Sequence, residues 1–238
     1  MKYALITGAS GGIGLALTQA FLENGFTVFA QYHRNPEALQ DLAAKQPSCL
    51  PLPADLTKPA EVVALFDHIR PLAPSLDVLI NNAGRAHIGL LQDMSVEEWD
   101  SILNCNLRSA FLCCREALPG MIRRHAGCIL NISSIWGQVG ASCEVAYSAS
   151  KGGLNAFTQA LAKETAPSGI RVNAIACGVI DTPMNGHLDA EERRALTECI
   201  GLGRYGAPRE VADLALFLCS EQASYLSGDI VSLNGCFI

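Results

Sequence analysis

Three side chains in the second half of the chain have the types and spacing needed for proton transfer. Tyr147 and Lys151 lie four positions apart in the predicted helix Ala146–Thr165, so they share one face of that helix. A free tyrosine has a pKa of about 10, and a neighbouring ammonium favours the phenolate and lowers that pKa. Ser134 lies thirteen residues before Tyr147, at the end of a predicted strand, where its hydroxyl can donate a hydrogen bond to a substrate oxygen. Together they predict general acid–base chemistry near neutral pH.

A glycine-rich turn near the N-terminus predicts a phosphate site. Residues 7–14 read Thr-Gly-Ala-Ser-Gly-Gly-Ile-Gly and separate the first predicted strand from the first predicted helix. In such a turn Gly8 allows the tight bend, Gly12 lets the backbone approach a pyrophosphate, and Gly14 permits close helix–strand packing. A plain strand–helix connection is the alternative. The expected dinucleotide contacts are Gly8, Ser10, Gly12, Ile13 and Gly14.

The end of the second predicted strand bears on which dinucleotide is bound. Proteins that take NAD usually carry an acid about 20 residues past the glycines, where it holds the ribose 2′-hydroxyl. Here residues 31–35 read Gln-Tyr-His-Arg-Asn, and no acid occurs before Glu37. Arg34, with His33 beside it, can instead pair with a 2′-phosphate; a solvated loop arginine is the alternative. The sequence therefore favours NADP(H).

Seven short apolar runs alternate with helix-length segments along the chain. The runs are almost continuous in Val, Ile, Leu, Ala and Cys, which is typical of parallel strands covered on both faces. Right-handed crossovers then predict a single-domain, doubly wound Rossmann-type α/β fold over residues 1–238. The predicted strands are Tyr3–Thr7, Thr27–Gln31, Cys49–Pro53, Val78–Asn81, Cys128–Ile132, Arg171–Ala176 and Asp229–Leu233. The predicted helices are Gly12–Asn24, Pro36–Lys45, Pro59–Ile69, Val96–Pro119, Ala146–Thr165 and Pro208–Leu218.

Composition excludes several classes of protein. Half of the 238 residues are hydrophobic and 17% are charged, which argues against disorder. The net charge of −6 without clustered Lys or Arg disfavours nucleic-acid and polybasic membrane binding. The chain has ten cysteines but no Cys-x-x-Cys pair, so a zinc or redox site is not expected. No apolar run approaches the ~20 residues of a membrane span. We expect a reduced cytoplasmic protein whose cysteines are mainly core residues.

The order of motifs along the whole chain resembles that of the short-chain dehydrogenases/reductases. The matching features are residues 7–14, Asp55, the run Asn81-Asn82-Ala83-Gly84, Asn106, Ser134, Tyr147-x-x-x-Lys151 and the run 178–182. The resemblance implies a catalytic group of Asn106, Ser134, Tyr147 and Lys151, in which Asn106 kinks its helix and holds a water beside the lysine. It implies further cofactor contacts at Asp55, Leu56, Asn82, Ala83, Gly84, Gly178, Ile180 and Thr182. A turn or capping acid is the alternative for Asp55.

Within that family the C-terminal third is similar to the 3-oxoacyl-[acyl-carrier-protein] reductases. The resemblance implies NADPH-dependent reduction of a small-molecule or carrier-linked ketone, with acyl carrier protein as a candidate partner, and a homotetramer. Arg123 and Arg124 are candidates for contacting such an acidic carrier, or they interact with the helix dipole. A dinucleotide-sensing regulatory protein is a remote alternative, because such proteins usually lose part of the catalytic group.

The segment 134–144 also resembles a subgroup proposed to reduce an aminopentanone group on elongation factor P. Glu144 would suit that cationic substrate; a solvated residue capping the next helix is the alternative. Cys143, Glu144 and Met184 are the candidate substrate contacts, and 182–208 is the candidate substrate lid. Two departures from the family pattern stand out: Cys177 replaces the usual proline, and Asn234-Gly235-Cys236 replaces a motif with two glycines.

Overall fold

The computed structural model describes residues 2–186 and 188–237. Seven strands in this part of the chain form one sheet in which every described pairing is parallel. The strands are β1 Lys2–Ile6, β2 Phe26–Tyr32, β3 Cys49–Pro53, β4 Val78–Asn81, β5 Gly127–Ser134, β6 Ile170–Cys177 and β7 Ile230–Leu233. The α-helices are α1 Gly12–Glu23, α2 Glu37–Lys45, α3 Pro59–Ile69, α4 Val96–Leu103, α5 Ser109–Arg124, α6 Trp136–Val139, α7 Val145–Thr165, α8 Ala190–Glu198 and α9 Pro208–Leu218.

The sheet has the strand order β3-β2-β1-β4-β5-β6-β7. The order of strands reverses between β1 and β4, and this point is where open α/β sheets bind ligands, outside the carboxyl ends of the strands. The predicted doubly wound Rossmann-type fold is therefore confirmed, and the predicted strands and observed strands differ by at most two residues at each end.

Both faces of the sheet are covered, as the apolar strands predict. Side chains alternate along a strand, so in β1 the buried Ala4 and Ile6 pack with α1 and α9. Leu5, between them, packs on the opposite face among residues of α3 and α5. This two-sided burial explains why the strands contain few polar residues.

The long predicted helix Val96–Pro119 is wrong in one respect, because it is interrupted. α4 ends at Leu103, residues Asn104–Arg108 form a π-helical turn, and α5 continues from Ser109 to Arg124. Single π turns are frequent at functional sites, and Asn106 lies at the centre of this one. The kink that the family resemblance implied at Asn106 is thus present as a widened turn.

The segment after β6 leaves the sheet and returns to it. Ile180 and Gly206 form an isolated parallel bridge, and the amide of Asp181 donates to the carbonyl of Gly206 over 2.8 Å. Between these points lies α8, which begins with a capping box formed by Asp189 and Glu192. The candidate substrate lid 182–208 therefore contains one short α-helix among its described residues.

The ten cysteines are all free, and five of them are buried. Cys199 and Cys236 are exposed, which differs from the expectation of a mainly core location. Among the described residues, no helix combines the length and the apolar character that a membrane span requires. The same residues contain no cluster of three or more His, Cys, Asp or Glu placed to hold a metal ion.

Candidate active site

The four residues of the predicted catalytic group meet at the carboxyl edge of the sheet. Ser134 is the last residue of β5, Tyr147 and Lys151 lie near the start of α7, and Asn106 lies in the π turn. Ser134 makes a side-chain hydrogen bond with Tyr147, and the Nζ atom of Lys151 lies 5.7 Å from the centroid of the Tyr147 ring. The spacing of four residues on one helix therefore brings the phenol and the ammonium to the same place.

Lys151 is held in the protein interior. Its side chain is buried, and its Nζ atom donates a hydrogen bond to the carbonyl oxygen of Ile132 in β5 over 2.7 Å. Burial disfavours the charged form and lowers the pKa of Lys151 to about 8. The lysine can therefore lose its proton near physiological pH, which a solvated lysine does not do.

The environment of Tyr147 differs from the expectation of a lowered pKa. Burial raises the pKa of Tyr147 above its ordinary value, although the hydrogen bond with Ser134 acts in the opposite direction. The nearby charge of Glu144 also raises the pKa. The physical reason is that desolvation of the phenol outweighs the hydrogen bond with Ser134. Tyr147 therefore holds its proton in this structure, as a proton donor requires.

Asn106 links three elements around Lys151. Its amide nitrogen donates to the carbonyl of Arg85 over 2.9 Å and to the hydroxyl of Ser150 over 3.0 Å, and its carbonyl accepts from the amide of Arg85 over 2.9 Å. A Cβ atom built on Gly84 would lie 3.3 Å from the Asn106 Oδ1 atom and 3.5 Å from the Lys151 Nζ atom. Gly84, Asn106 and Lys151 therefore converge on one point.

The glycine turn forms the N-terminus of α1. Gly11 caps this helix without a side-chain hydrogen bond, and its first turn holds no acidic residue. Gly8 has a φ of +60°, in the left-handed region that favours glycine. The helix therefore presents backbone N–H groups and positive dipole without competition from the chain's own acids, and this fits a pyrophosphate. Ser10, Gly12, Ile13 and Gly14 lie on the same turn.

Side chains from two neighbouring strands support the glycine turn. The side-chain amide of Asn82 donates to the backbone carbonyls of Thr7 and Gly8 over 2.9 and 3.0 Å. The Thr7 hydroxyl accepts hydrogen bonds from the backbone amides of Asn82 and Ala83. The sequence analysis did not identify Gln31 as part of this support. Its side-chain carbonyl accepts from the backbone amide of Gly8 over 2.9 Å, and its side-chain amide donates to the backbone carbonyl of Ala54 over 2.7 Å. A polar residue within an apolar strand was the available signal.

The residues expected at the adenosine end lie after β2 and β3. His33 and Arg34 are both exposed, and the His33 Nε2 atom lies 4.0 Å from the Asp55 carboxylate. Burial acts to raise the pKa of Asp55, but hydrogen bonds from Thr57 and the charge of His33 outweigh it and lower the pKa. Leu56, beside Asp55, is buried. The strands bring these residues to the same edge, as the sequence predicts.

The loop after β6 approaches the glycine turn. A Cβ atom on Gly12 would lie 2.9 Å from the Thr182 Cγ2 atom, so the predicted contacts at the two loops are neighbours. The Gly178 amide donates to Leu233 over 2.9 Å, and Ile180 is buried. Met184 is half exposed on the same loop. Cys177 is part of β6, and its carbonyl accepts from the amide of Ile135.

The expected substrate contacts of the β5–α7 connection lie beside Tyr147. Cys143 adopts a left-handed φ of 63°, and its carbonyl accepts from the amide of Gly89 over 2.8 Å. Glu144 immediately precedes α7. Arg124, by contrast, lies at the opposite edge of the sheet of the same subunit, where it pairs with Asp77 over 2.8 Å and donates to the carbonyl of Leu76. The structure therefore gives Arg124 a role in the fold.

The fold and the site define a dinucleotide-dependent oxidoreductase of the Rossmann type, and comparison with known proteins gives the family. Residues 2–193 match the family model described as short chain dehydrogenase, and the chain belongs to this family. It is 41% identical to the uncharacterized oxidoreductase YmfI of Bacillus subtilis, over 98% of each chain. It is 38% identical to the 3-oxoacyl-[acyl-carrier-protein] reductase FabG of Aquifex aeolicus and to that of Thermotoga maritima, over 98% of this chain and 96% of each relative.

Proposed function

We propose that this protein is an NADPH-dependent carbonyl reductase that reduces a ketone to a secondary alcohol. The observation that carries the proposal is the group formed by the buried Ser134 and Lys151 and the half-buried Tyr147, beside an uncapped, acid-free helix N-terminus. A protonated tyrosine that shares a hydrogen bond with a serine is suited to give a proton to a ketone oxygen. A family fold that has lost catalysis would not need this group, which disfavours a purely dinucleotide-sensing role.

The chain's own residues perform the proton transfer. A bound nicotinamide would supply the hydride for the carbonyl carbon. Ser134 donates a hydrogen bond to the ketone oxygen, and Tyr147 gives that oxygen its proton as the alcohol forms. Lys151 stabilises the resulting phenolate by its charge. Asn106, beside Lys151, belongs to the proton relay that returns a proton to the phenolate. The Ile132 carbonyl keeps the lysine ammonium in place during these steps.

The preference for NADPH follows from the charges after β2. Arg34 is exposed and forms no ion pair with a carboxylate of the described residues, so its guanidinium is available to a 2′-phosphate. Residues 31–35, at the end of β2 and just after it, contain no acid. An acid there would hold a ribose hydroxyl and repel a 2′-phosphate.

For the substrate we favour a 3-oxoacyl group on acyl carrier protein, because FabG relatives are similar over nearly the full chain. The test is NADPH oxidation with acetoacetyl-acyl carrier protein, compared with elongation factor P that carries the aminopentanone group on its lysine. A generic β-keto ester serves as the positive control for ketone reduction. Turnover of the ester by the wild-type protein, lost in Tyr147→Phe, supports the reductase; no turnover of any of the three ketones contradicts it.

One observation favours the aminopentanone group as the alternative substrate. The segments that follow β4, β5 and β6 at the site (82–100, 134–145 and 178–206) contain ten Asp or Glu but only four Arg. Three of those arginines are already in ion pairs: Arg193 with Asp181, Arg194 with Glu198 and Arg204 with Glu210. The negative charge of Glu144 raises the pKa of Tyr147, so it acts at the site itself. A negative entrance attracts a cationic ketone and repels an acidic carrier.

We further propose that the protein is a cytoplasmic homotetramer. An apolar groove runs between α4, α5 and α7, lined by Leu103, Leu107, Phe111, Gly153 and Phe157. Phe111 is 44% exposed there, which suits a surface that a second copy covers across a two-fold axis. Leu112 of α5 and Leu154 and Leu161 of α7 are buried in the subunit core and are not part of this surface.

A further inference from the structure

A single buried amide on α7 holds both ends of the segment that carries Ser134. The Asn155 Oδ1 atom accepts a hydrogen bond from the Ser133 hydroxyl over 2.6 Å, and the Asn155 Nδ2 atom donates to the carbonyl of Gly137 over 3.1 Å. Ser133 is the residue before Ser134, and Gly137 lies in α6 just after it. Residues 133–137 are therefore fixed at two points by one side chain.

α6 packs closely against the backbone of α7 at Gly137. A Cβ atom on Gly137 would lie 2.6 Å from the Lys151 carbonyl carbon and 2.9 Å from the Gly152 amide nitrogen. Only glycine permits that approach, so α6 lies directly against the backbone of α7 beside the catalytic lysine. Asn155 is 8% exposed and Ser133 is 3% exposed, so water does not replace a lost partner. Without Asn155 the Ser133 hydroxyl retains the longer hydrogen bond, 3.4 Å, to the carbonyl of Lys151.

The attached segment contains the Ser134 hydroxyl and the side chain of Trp136. The Ser134 hydroxyl accepts from the amide of Trp136 over 3.2 Å. The Trp136 ring packs edge-on against Phe237, with centroids 5.3 Å apart. Since Tyr147, Lys151 and Asn155 follow one another at intervals of four residues on α7, the same helix face carries the proton donor, its lysine and this amide.

We propose that Asn155 is a positioning residue that holds Ser134 within hydrogen-bond distance of the Tyr147 hydroxyl by fixing residues 133–137 against α7. The proposal rests on the ketone-reductase function, in which Ser134 and Tyr147 share the substrate oxygen. Loosening the segment should misplace the serine and weaken its hydrogen bond with Tyr147. Because that bond acts to lower the pKa of Tyr147, its loss should raise that pKa further.

The experiment compares Asn155→Leu and Ser133→Ala with the control Thr158→Val. Thr158 is buried on α7, donates to the carbonyl of Leu154 and accepts from Asn131, so the control also removes a buried hydrogen bond but leaves residues 133–137 untouched. We expect both test variants to lower kcat for ketone reduction roughly 10- to 100-fold, with KM for NADPH unchanged. In alcohol oxidation, which needs the Tyr147 phenolate, the rising limb of the pH profile should move to higher pH.

A spectroscopic readout separates this proposal from the proposed function. In a Trp99→Phe background, Trp136 is the remaining tryptophan, and its emission and quenching by acrylamide report the placement of α6. Both test variants should increase its quenching and Thr158→Val should not. An unchanged Trp136 signal, or a pH limb that stays in place in Ser133→Ala, overturns the proposal. A wild-type protein that reduces no ketone contradicts the reductase function, while the fluorescence still decides whether Asn155 fixes the segment. If Asn155→Leu does not fold, the milder Ser133→Ala decides.

Discussion

The Nζ atom of Lys151 and the carbonyl oxygen of Ile132 lie 2.7 Å apart in a buried hydrogen bond. The bond joins α7 to β5 two residues before Ser134, so the ammonium and the serine are fixed by the same strand. A buried ammonium needs such a partner, because an unpaired charge in the interior is costly. The relationship explains how a lysine whose pKa burial lowers to about 8 still keeps a defined position.

Lysine titration should be visible in the pH dependence of catalysis. The pKa of Lys151 is about 8 in the folded protein, so the ammonium is lost as pH rises above that value. We expect kcat/KM for NADPH, which reports the free enzyme, to fall as pH rises through about 8. A profile that stays flat across this range would show that the charge of Lys151 is not required.

The lowered pKa of Lys151 should make the folded protein more stable as pH rises above about 8. An unfolded lysine keeps its proton up to a pH of about 10.4, so between about 8 and that value the unfolded state binds more protons. The free energy of unfolding therefore gains a contribution that rises with pH across this window. Urea denaturation at several pH values should show a steeper rise of the free energy of unfolding with pH in the wild type than in Lys151→Met. The same pH dependence in the two proteins would contradict this prediction.

Tyr147→Phe should abolish turnover and spare the cofactor. The change removes only the hydroxyl that gives the proton, so kcat for ketone reduction should fall by about 10²-fold or more. NADPH affinity, measured by fluorescence titration, should stay within a factor of a few. Tyr205→Phe is the matched control, because its hydroxyl lies in the segment after β6 near the carbonyl of Arg193. A Tyr147→Phe protein with near-normal kcat would rule out the tyrosine as proton donor.

Arg34→Ala should discriminate between the two nicotinamide cofactors. A charge-assisted contact with a 2′-phosphate is worth roughly 1.5–3 kcal/mol, which corresponds to a rise in KM for NADPH of about 10- to 100-fold. NADH lacks the phosphate, so its KM should hardly change. Lys45→Ala removes an exposed cation at the far end of α2 and serves as the control. Equal effects of Arg34→Ala on both cofactors would exclude it as the discriminating residue.

Glu144→Gln should separate the two candidate substrates. The substitution keeps the shape of the side chain and removes its charge, so it should raise KM for an amine-bearing ketone and leave an acyl thioester nearly unaffected. The effect on the amine should shrink with added salt. Glu221→Gln, far from the site in the turn after α9, controls for the change in net charge. Equal kinetics of Glu144→Gln on both substrates would refute recognition of a cation by this residue.

Phe111→Glu should break the proposed assembly. A carboxylate in the groove between α4, α5 and α7 would be desolvated by a second copy, so light scattering should show a smaller particle for Phe111→Glu than for the wild-type protein. Leu72→Glu places the same charge at another half-exposed position, after α3, and should leave the mass unchanged. A monomeric wild-type protein at micromolar concentration would contradict the assembly.

Local patterns in the sequence were sufficient for the elements and for much of the site. Continuous apolar runs predict β1 to β7, since a strand buried on both faces has no polar side. The spacing of Tyr147 and Lys151 predicts their shared helix face, and the position of Ser134 at a strand end predicts the edge at which they meet. These features depend on backbone geometry over a few residues, which the residue types alone specify.

Other features were decided only by contacts between distant parts of the chain. The π turn at Asn106 is stabilised by hydrogen bonds to Arg85 and Ser150, which no helical periodicity encodes. Gln31 contacts Gly8 and Ala54 only because the strand order places them side by side. The pKa of Tyr147 is raised, against expectation, because burial depends on everything packed around the phenol. Sequence fixes local geometry, whereas desolvation and long-range hydrogen bonds exist only once the chain has folded.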